Sequence, residues 1–387
     1  MSDQTPGMGD VFSEMPLFRE IQRVLLSSSG PVNWELARQM GIAMASWGKD
    51  DPPPTDEDER TLQEAVRSAE LQVAEFTQLS PPSDVAPVKA MRRAQWVEAN
   101  IETLKEFVEP AAAKVGQAFD AVVTNEAEEP AQPDQTGMLA KISPLLVGTQ
   151  VGAVLGSLGQ SVLGQYDIAL PRPVPGSLFF VVPNIAAFER DWSLSQTDFR
   201  EWVALHEVTH RFEFSRPWAR SHFLELLRDF LSTLEVDVRA LQEQIERLDI
   251  TNAQDLQSVL GSEQGVFGVV LDDEQRIKLN RIQAFMAAAE GYADHVMHAL
   301  GRKLLSSFSQ IEEAMRRYRE TESGDPVFER LLGIEMKKEQ YRLGRTFSDL
   351  VADQTDEATL ARVWDTPETL PSMPEILEPR LWMSRVA

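Results

Sequence analysis

The chain has 387 residues, 43% of them hydrophobic, which is enough to bury a substantial core in one large domain or in two. Its formal net charge of -24 argues against nucleic acid and against an anionic membrane surface as partners, because both require a positive face. The sequence contains no cysteine, which excludes disulfides and thiolate metal sites, so any metal must be held by histidine and carboxylate side chains. Residues 1–7 show neither a basic nor an apolar leader region, and we expect a cytoplasmic protein.

The N-terminal part is predicted to be helical, with a separate arm. An acidic, proline-rich stretch at residues 50–56 predicts a linker, so we assign residues 1–60 to an arm and residues 61–387 to the main domain. Apolar residues then recur at helical spacing and predict an amphipathic helix: Leu62, Val66, Ala69, Val73 and Phe76. A longer helix is expected from about Lys89 to Ala121, followed by an exposed polar loop at residues 124–134.

An uncharged segment follows at residues 142–164, in which Gly148, Gly152 and Gly156 recur at four-residue spacing. Its length and composition are compatible with a membrane helix. Several polar side chains and the lack of a basic flank argue against that interpretation. We therefore predict a buried helix whose glycines allow neighbouring helices to approach closely.

A short apolar run at residues 178–182, ended by Pro183, predicts a β-strand because it is rich in β-forming residues. We interpret it as an ordinary buried strand. The alternative is a strand whose edge pairs with an extended peptide.

The pentapeptide His206-Glu207-Val208-Thr209-His210 lies in a segment whose apolar spacing predicts a helix. Upstream, Ser195-Gln196-Thr197-Asp198 has the spacing of a capping box, with Asp in place of the usual Glu, and predicts where this helix begins. On a helix, histidines at i and i+4 lie one above the other, so both imidazoles can bind one ion while Glu207 faces the same cleft. This is the arrangement of zinc proteases. The alternative is a solvated helix whose Glu and His side chains only interact with one another.

A hydrolytic zinc site uses three protein ligands and a water, so a third ligand is required. Glu290 is a better candidate than the remaining histidines, because an acidic side chain in so apolar a helical stretch needs a partner. At about 100° per residue, Asp294 shares the face of Glu290, His298 lies at its border and His295 points largely away. His222 is expected to be on the surface or partly packed. Asp294 is then placed to accept the second N–H of a ligating histidine and fix its tautomer.

The C-terminal third is helical again and locally basic in an otherwise acidic protein. The basic residues are Arg316, Arg317, Arg319, Arg330, Lys337, Lys338, Arg342 and Arg345. We interpret them as solvated side chains paired with carboxylates. The functional alternative is that one of them, or Tyr292, His298 or Tyr341, contacts the substrate or an oxyanion. Residues 370–379 are predicted to form an extended strap over the surface, because prolines interrupt them.

Several strings of the sequence resemble the type 2 zincin-like metallopeptidase family, a gluzincin type in which a helical HExxH motif precedes Glu-x-x-x-Asp. They are Asn184-Ile185, residues 202–212, Pro217-Trp218 and residues 290–294, and the resemblance runs from about Arg92 to the C-terminus, including residues 164–167, Leu370-Pro371 and Leu381-Trp382. Members are commonly described only as hydrolases, some of them associated with deazaflavin-cofactor biosynthesis. The resemblance implies a mostly α fold with a small β-sheet and a zincin-like metallopeptidase core. It also implies zinc ligation by His206, His210 and Glu290, with Glu207 as the base.

The sequence therefore predicts a zinc-dependent hydrolase, in finer detail a metallopeptidase, acting on a peptide or small amide. In this hypothesis zinc (Zn²⁺) lowers the pKa of a bound water toward about 7, and Glu207 takes the proton and passes it to the leaving amine. Two alternatives remain: a zinc hydrolase of a non-peptide amide, and a non-enzymatic protein that keeps the fold. The intact Glu207 argues against the second, because structural zinc needs no base.

Overall fold

A computed structural model of the protein describes residues 30–125, 133–166, 176–233, 272–321 and 338–386. The described chain is mostly α-helical with one small β-sheet, which confirms the predicted fold class. The first elements are α1 (Trp34–Ala45), α2 (Asp56–Thr77), β1 (Val88–Met91), α3 (Arg93–Asn125), α4 (Pro133–Gly159), β2 (Gly164–Tyr166) and β3 (Leu178–Val181). They are followed by α5 (Val182–Asp191), α6 (Gln196–Phe214), α7 (Ala219–Thr233), α8 (Asp273–Leu304), α9 (Phe308–Thr321), α10 (Lys338–Gln354), α11 (Glu357–Ala361), two short 3-10 turns (Arg362–Trp364 and Pro367–Thr369), α12 (Met373–Leu377) and α13 (Pro379–Val386).

The sheet has the strand order β1-β3-β2, so β3 is central. It pairs in parallel with β1 and antiparallel with β2, where Gly164 lies opposite Phe180. All four residues of β3 are buried, which confirms the buried-strand interpretation of this segment. The strand ends one residue earlier than predicted because Val182 begins α5, with Pro183 in its first turn.

Strand β3 separates two hydrophobic cores. Leu178 and Phe180 point into the core that contains α2, α6 and α8, whereas Phe179 and Val181 point into the core formed with α1, α3 and α4. This alternation is the two-residue period of a strand buried on both faces. The helix that carries the HExxH motif therefore packs in the first of these cores.

The glycine-rich helix α4 packs closely against α1, as predicted. A Cβ atom added to Gly148 would lie 2.4 Å from the carbonyl oxygen of Asn33, and one added to Gly152 would lie 2.4 Å from that of Ala37. These glycines are required because any side chain would meet the backbone of α1. Among the described residues, the structure contains no helix with the length and apolar character needed to cross a membrane.

Two segments differ from the sequence prediction. Residues 89–91 belong to strand β1 rather than to the long helix, because they pair with β3, and the helix begins at Arg93. Residues 370–379 are not an extended strap: they include the helix α12 and the start of α13, which anchor buried Ile376 and Trp382. Two of the three prolines that suggested an extended chain, Pro374 and Pro379, occupy the first turns of these helices, where the missing N–H has no intrahelical partner to lose.

Residues 30–60 are closely tied to the rest of the described chain. Helix α1 packs against α3 and α4, and helix α2 spans residue 60. In the proline-rich stretch, the Asp51 carboxylate accepts the backbone N–H groups of Arg93 (2.9 Å) and Ala94 (3.2 Å) at the start of α3. The division at residue 60 stays a prediction, and residues 1–29 lie outside the described part of the chain. Residues 126–132 of the predicted polar loop also lie outside the described part of the chain.

Candidate metal centre

Helix α6 begins where the sequence predicts. The Ser195 side chain accepts the backbone N–H of Asp198 at 3.4 Å, as an N-cap residue does. The Asp198 carboxylate has a different partner from the one that a capping box would give it. It accepts hydrogen bonds of 2.8 Å from the Ser306 hydroxyl and from the N–H and hydroxyl of Ser307, and so connects α6 to the turn after α8.

Buried ion pairs fix α6 to its neighbours. Arg200 lies 3.0 Å from Glu189 of α5 and 3.0 Å from Asp58 of α2, and its side chain is almost completely buried. Directly after the motif, buried Arg211 binds Glu70 of α2. Because removing one partner of such a pair leaves a buried charge, these contacts hold the helix in one position.

Helices α6 and α8 bring His206, His210 and Glu290 together. The Nε2 atoms of the two histidines are 3.1 Å apart, and each lies 3.8 Å from a carboxylate oxygen of Glu290. One ligand atom from each of the three residues lies within 4.8 Å of the others. Among the described residues, this is the one group of histidine and carboxylate side chains with metal-binding geometry.

The donor set matches zinc. Ligand atoms about 2.0–2.1 Å from a tetrahedral zinc ion lie about 3.3 Å apart. The two Nε2 atoms are 3.1 Å apart, close to that value, and the 3.8 Å distances join His206 to Oε2 and His210 to Oε1 of Glu290. Two imidazoles and a carboxylate also form the ligand set of known hydrolytic zinc sites, which leave a fourth position for water.

Glu213 is a site residue that the sequence analysis missed. Its Oε2 lies 2.8 Å from Nδ1 of His210, and its side chain is completely buried. A carboxylate that accepts the Nδ1–H fixes the tautomer in which Nε2 presents its lone pair to the metal. The signal was available, because Glu213 follows His210 by three residues and therefore shares its face of the helix.

The electrostatics of His210 suit a metal ligand. Burial and the neighbouring His206 lower the pKa of His210 well below its usual value, so the ring is neutral. Burial and the charge of Glu290 raise the pKa of Glu213 well above its usual value, and a metal ion bound to Glu290 would counter that charge and favour the Glu213 carboxylate. A neutral imidazole is the form that binds metal.

Glu207 is nearly buried and packs against the edge strand β2. A Cβ atom added to Gly164 would lie 2.6 Å from Oε1 of Glu207. The carboxylate between the two histidines is therefore placed where the sheet meets α6.

Asp294 and His298 of the predicted site lie one and two turns beyond Glu290 on α8. Asp294 is buried, and its charge partly offsets the lowering of the His210 pKa by burial and by His206. Its role as acceptor for a ligating histidine stays a prediction. His298 is not part of the three-residue group: its Nδ1 donates to the carbonyl of Asp294 at 2.7 Å, and its Nε2 lies 2.9 Å from Nη1 of Arg345.

Of the two tyrosines predicted to contact a substrate, the structure describes the side chain of Tyr292. Tyr292 is 2% exposed and packs edge-on against Trp364, so it is a core residue. Tyr341 belongs to α10, but its side chain lies outside the described part of the structure. His295 points away from Glu290, as expected, and binds Asp349 and Glu357. His222 is partly buried, as expected.

The basic residues of the C-terminal third divide into two groups. Arg316 and Arg317 are exposed and bind Glu313, as the interpretation of solvated ion pairs requires. Arg345 is the exception, because it contacts His298 and lies 3.4 Å from Asp349. The side chains of Arg319, Arg330, Lys337 and Lys338 lie outside the described part of the structure.

Comparison with known proteins agrees with this geometry. The model of the zincin-like metallopeptidase family matches residues 32–383, so the chain belongs to that family. Among solved structures, the chain is similar to the crystal structure of a proposed hydrolase with a novel fold from Chloroflexus aurantiacus. The two are 33% identical, with a TM-score of 0.65, and the match covers 92% of this chain and 98% of that chain. A search of curated proteins found no match.

Proposed function

We propose that the protein is a zinc-dependent hydrolase and, in finer detail, a metallopeptidase. The observation that carries the proposal is the convergence of His206, His210 and Glu290 from two helices, with Glu207 between the two histidines. The family assignment and the hydrolase described for the similar structure support the same chemistry.

The three convergent side chains would hold the metal. A zinc ion held there would supply Lewis acidity for the hydrolysis. Glu213 orients His210 through the Nδ1 contact of 2.8 Å. The ion pairs of Arg200 and Arg211 keep α6 in place, so both histidines are preorganised before metal binds.

Glu207 acts as the proton carrier. It lies between the histidines in sequence and on the sheet side of α6, where burial shields its carboxylate from bulk water. In this position it accepts a proton from the attacking water and passes it to the leaving amine. This role needs a carboxylate that does not ligate the metal.

Strand β2 favours a peptide as the substrate. It is at the end of the strand order, and within the described chain it pairs only with β3. An extended peptide can add to such an edge by backbone hydrogen bonds, and β2 lies directly beside α6. The alternative in which β3 itself pairs with a peptide is wrong, because β3 is central and buried.

The first prediction separates metal binding from catalysis. Glu207→Gln should retain zinc at the wild-type ratio but lose hydrolytic activity by about 10²–10⁴-fold, because it removes the proton acceptor and no ligand. His206→Ala and His210→Ala should lose both zinc and activity. The measurements are metal content of the purified proteins and hydrolysis of a peptide library. Loss of zinc from Glu207→Gln, or wild-type protein without affinity for zinc, would contradict the proposal.

A further inference from the structure

Gly164 makes a contact that the proposed mechanism has not used. It lies in the edge strand β2, opposite Phe180 of β3, and the side of its Cα that would carry a side chain faces α6. A Cβ atom there would lie 2.6 Å from Oε1, 2.7 Å from Cγ and 2.9 Å from Cδ of Glu207. The space that any other residue would fill is therefore occupied by the outer half of the Glu207 side chain.

The contact differs from those of the other closely packed glycines. Gly148 and Gly152 approach backbone atoms of α1, so a side chain there would force two helices apart. At Gly164 the three nearest atoms all belong to the flexible end of one side chain. A methyl group at this position is accommodated most cheaply by rotation of Glu207, with little movement of the fold.

The next residue of the strand fixes the position of β2. Gln165 is buried and exchanges two hydrogen bonds with Asn100 of α3, at 3.2 and 3.0 Å. The backbone of Gly164 is therefore anchored on the side away from α6. Because Gln165 holds the strand in place and Gly164 has no side chain, the Glu207 side chain packs directly against the backbone of β2.

We propose that Gly164 is a positioning residue that sets the location of the Glu207 carboxylate relative to the metal site. The inference rests on the proposed function, because the position of Glu207 matters only if it carries the proton. Displacement of a reacting group by about 1 Å can cost on the order of 10²-fold in rate. Glycine is therefore needed at position 164 so that the Glu207 carboxylate can carry the proton from its correct position.

The test is Gly164→Ala, measured first with zinc and acetohydroxamate, so that no substrate needs to be known. Acetohydroxamate binds a metal through two oxygens, and its hydroxyl proton needs a nearby acceptor, which is Glu207 in this site. We expect unchanged zinc content and an affinity for acetohydroxamate about tenfold weaker than that of wild type. If a peptide substrate is identified, kcat should fall by about 10–100-fold with little change in KM.

A double-variant cycle identifies the side chain through which Gly164 acts. In a Glu207→Ala background no carboxylate remains to be displaced, so adding Gly164→Ala should change acetohydroxamate affinity less than twofold. Gly116→Ala is the matched control, because a Cβ atom at Gly116 of α3 meets nothing within 4 Å. It should behave as wild type in all measurements.

The outcomes distinguish this inference from the proposed function. Wild-type protein that binds no zinc overturns both. Zinc-loaded Gly164→Ala with wild-type affinity for acetohydroxamate, or an equal loss in the Glu207→Ala background, overturns the inference alone. Loss of the fold or of zinc in Gly164→Ala also overturns the inference, because the methyl group would then displace more than the outer half of the Glu207 side chain.

Discussion

His210 has protein partners for both of its ring nitrogens. Glu213 lies 2.8 Å from Nδ1, while Nε2 faces His206 and Glu290 in the candidate metal centre. The sequence suggested Asp294 for the supporting role because it shares a helical face with Glu290. The structure adds Glu213, which follows His210 by three residues and lies on the same face of α6.

Replacement of Glu213 tests this supporting role. Glu213→Ala should weaken zinc binding by about 10–100-fold, because His210 loses the group that fixes its tautomer. Asp294→Asn should produce a loss within the same range if Asp294 supports a ligand as the sequence predicts. Zinc affinity is measured by competition with a chelator of known affinity.

The matched control for this experiment is Glu225→Ala, which removes an exposed carboxylate from α7. All variants need an unchanged far-UV circular dichroism spectrum before metal is added. Glu213→Ala with wild-type zinc affinity would show that His210 is held by other contacts.

At the scale of elements, helices pack most closely where glycines face each other. Residues of α4 lie against the backbone of α1, as the four-residue glycine spacing predicts. The crossing of α8 and α10 was not predicted: a Cβ atom on Gly344 would lie 1.9 Å from the carbonyl oxygen of Ala287, and one on Gly291 would lie 2.1 Å from the carbonyl carbon of Gly344. Gly291 directly follows Glu290, so this crossing fixes the part of α8 that carries the third candidate ligand.

Gly152→Leu tests the α1–α4 contact. A leucine cannot avoid the carbonyl of Ala37, so the free energy of unfolding should fall by about 1–3 kcal/mol or more. Gly116→Leu is the matched control, because that position is open. Urea unfolding followed by circular dichroism measures the free energy of unfolding of both variants. Equal stability of the two would contradict the close packing of α4 on α1.

Helices α8, α10 and α11 are joined through His295. Its Nδ1 lies 2.7 Å from Asp349 and its Nε2 lies 3.0 Å from Glu357. Burial lowers the pKa of His295, but hydrogen bonds and charges of the two carboxylates outweigh it and raise the pKa to about 9. The ring is therefore a cation at neutral pH.

This pKa predicts how stability depends on pH. A histidine that holds its proton more tightly in the folded state stabilises the fold fully below its unfolded pKa of about 6.5, and the contribution is lost as the pH rises toward 9. Because both carboxylates are partly exposed, we expect a loss of about 1–3 kcal/mol. Urea unfolding in EDTA at pH 6.5 and 9.5 should show this loss for wild type relative to His295→Gln. Parallel pH dependence of the two proteins would disprove the assignment.

At the scale of the whole molecule, the candidate metal centre connects distant parts of the chain. His206 and His210 belong to α6, and Glu290 belongs to α8, beyond residues 234–271, which lie outside the described part. A ligand that binds only the folded arrangement stabilises the whole fold by mass action. Metal binding is therefore expected to raise the thermal unfolding temperature.

Metal removal tests this coupling. At a free zinc concentration a thousandfold above its Kd, the stabilisation is about 4 kcal/mol, so EDTA should lower the unfolding midpoint of wild type and zinc should restore it. Glu290→Ala, with two candidate ligands left, should unfold at nearly the same temperature with and without zinc. Differential scanning calorimetry gives both values, and an equal response to zinc in both proteins would show that Glu290 is not a ligand.

The sequence by itself determined the class of fold, the helix that carries the motif and the candidate ligands. These features depend on local sequence. The i, i+4 spacing of two histidines and the N-cap at Ser195 are properties of α6 alone, and the repeated glycines are a property of α4 alone. The strand at residues 178–181 was predictable for the same reason. The acidic residue in an apolar stretch pointed to Glu290 because a buried carboxylate requires a partner.

Only the tertiary structure decided which groups meet across elements. Residues 89–91 form a strand because β3 lies beside them, and residues 370–379 include helices because their apolar side chains have a core to enter. The contact between Gly164 and Glu207 joins a strand to a helix more than forty residues away in sequence. Local spacing carries no information about such distant neighbours, since their proximity depends on the packing of the whole chain.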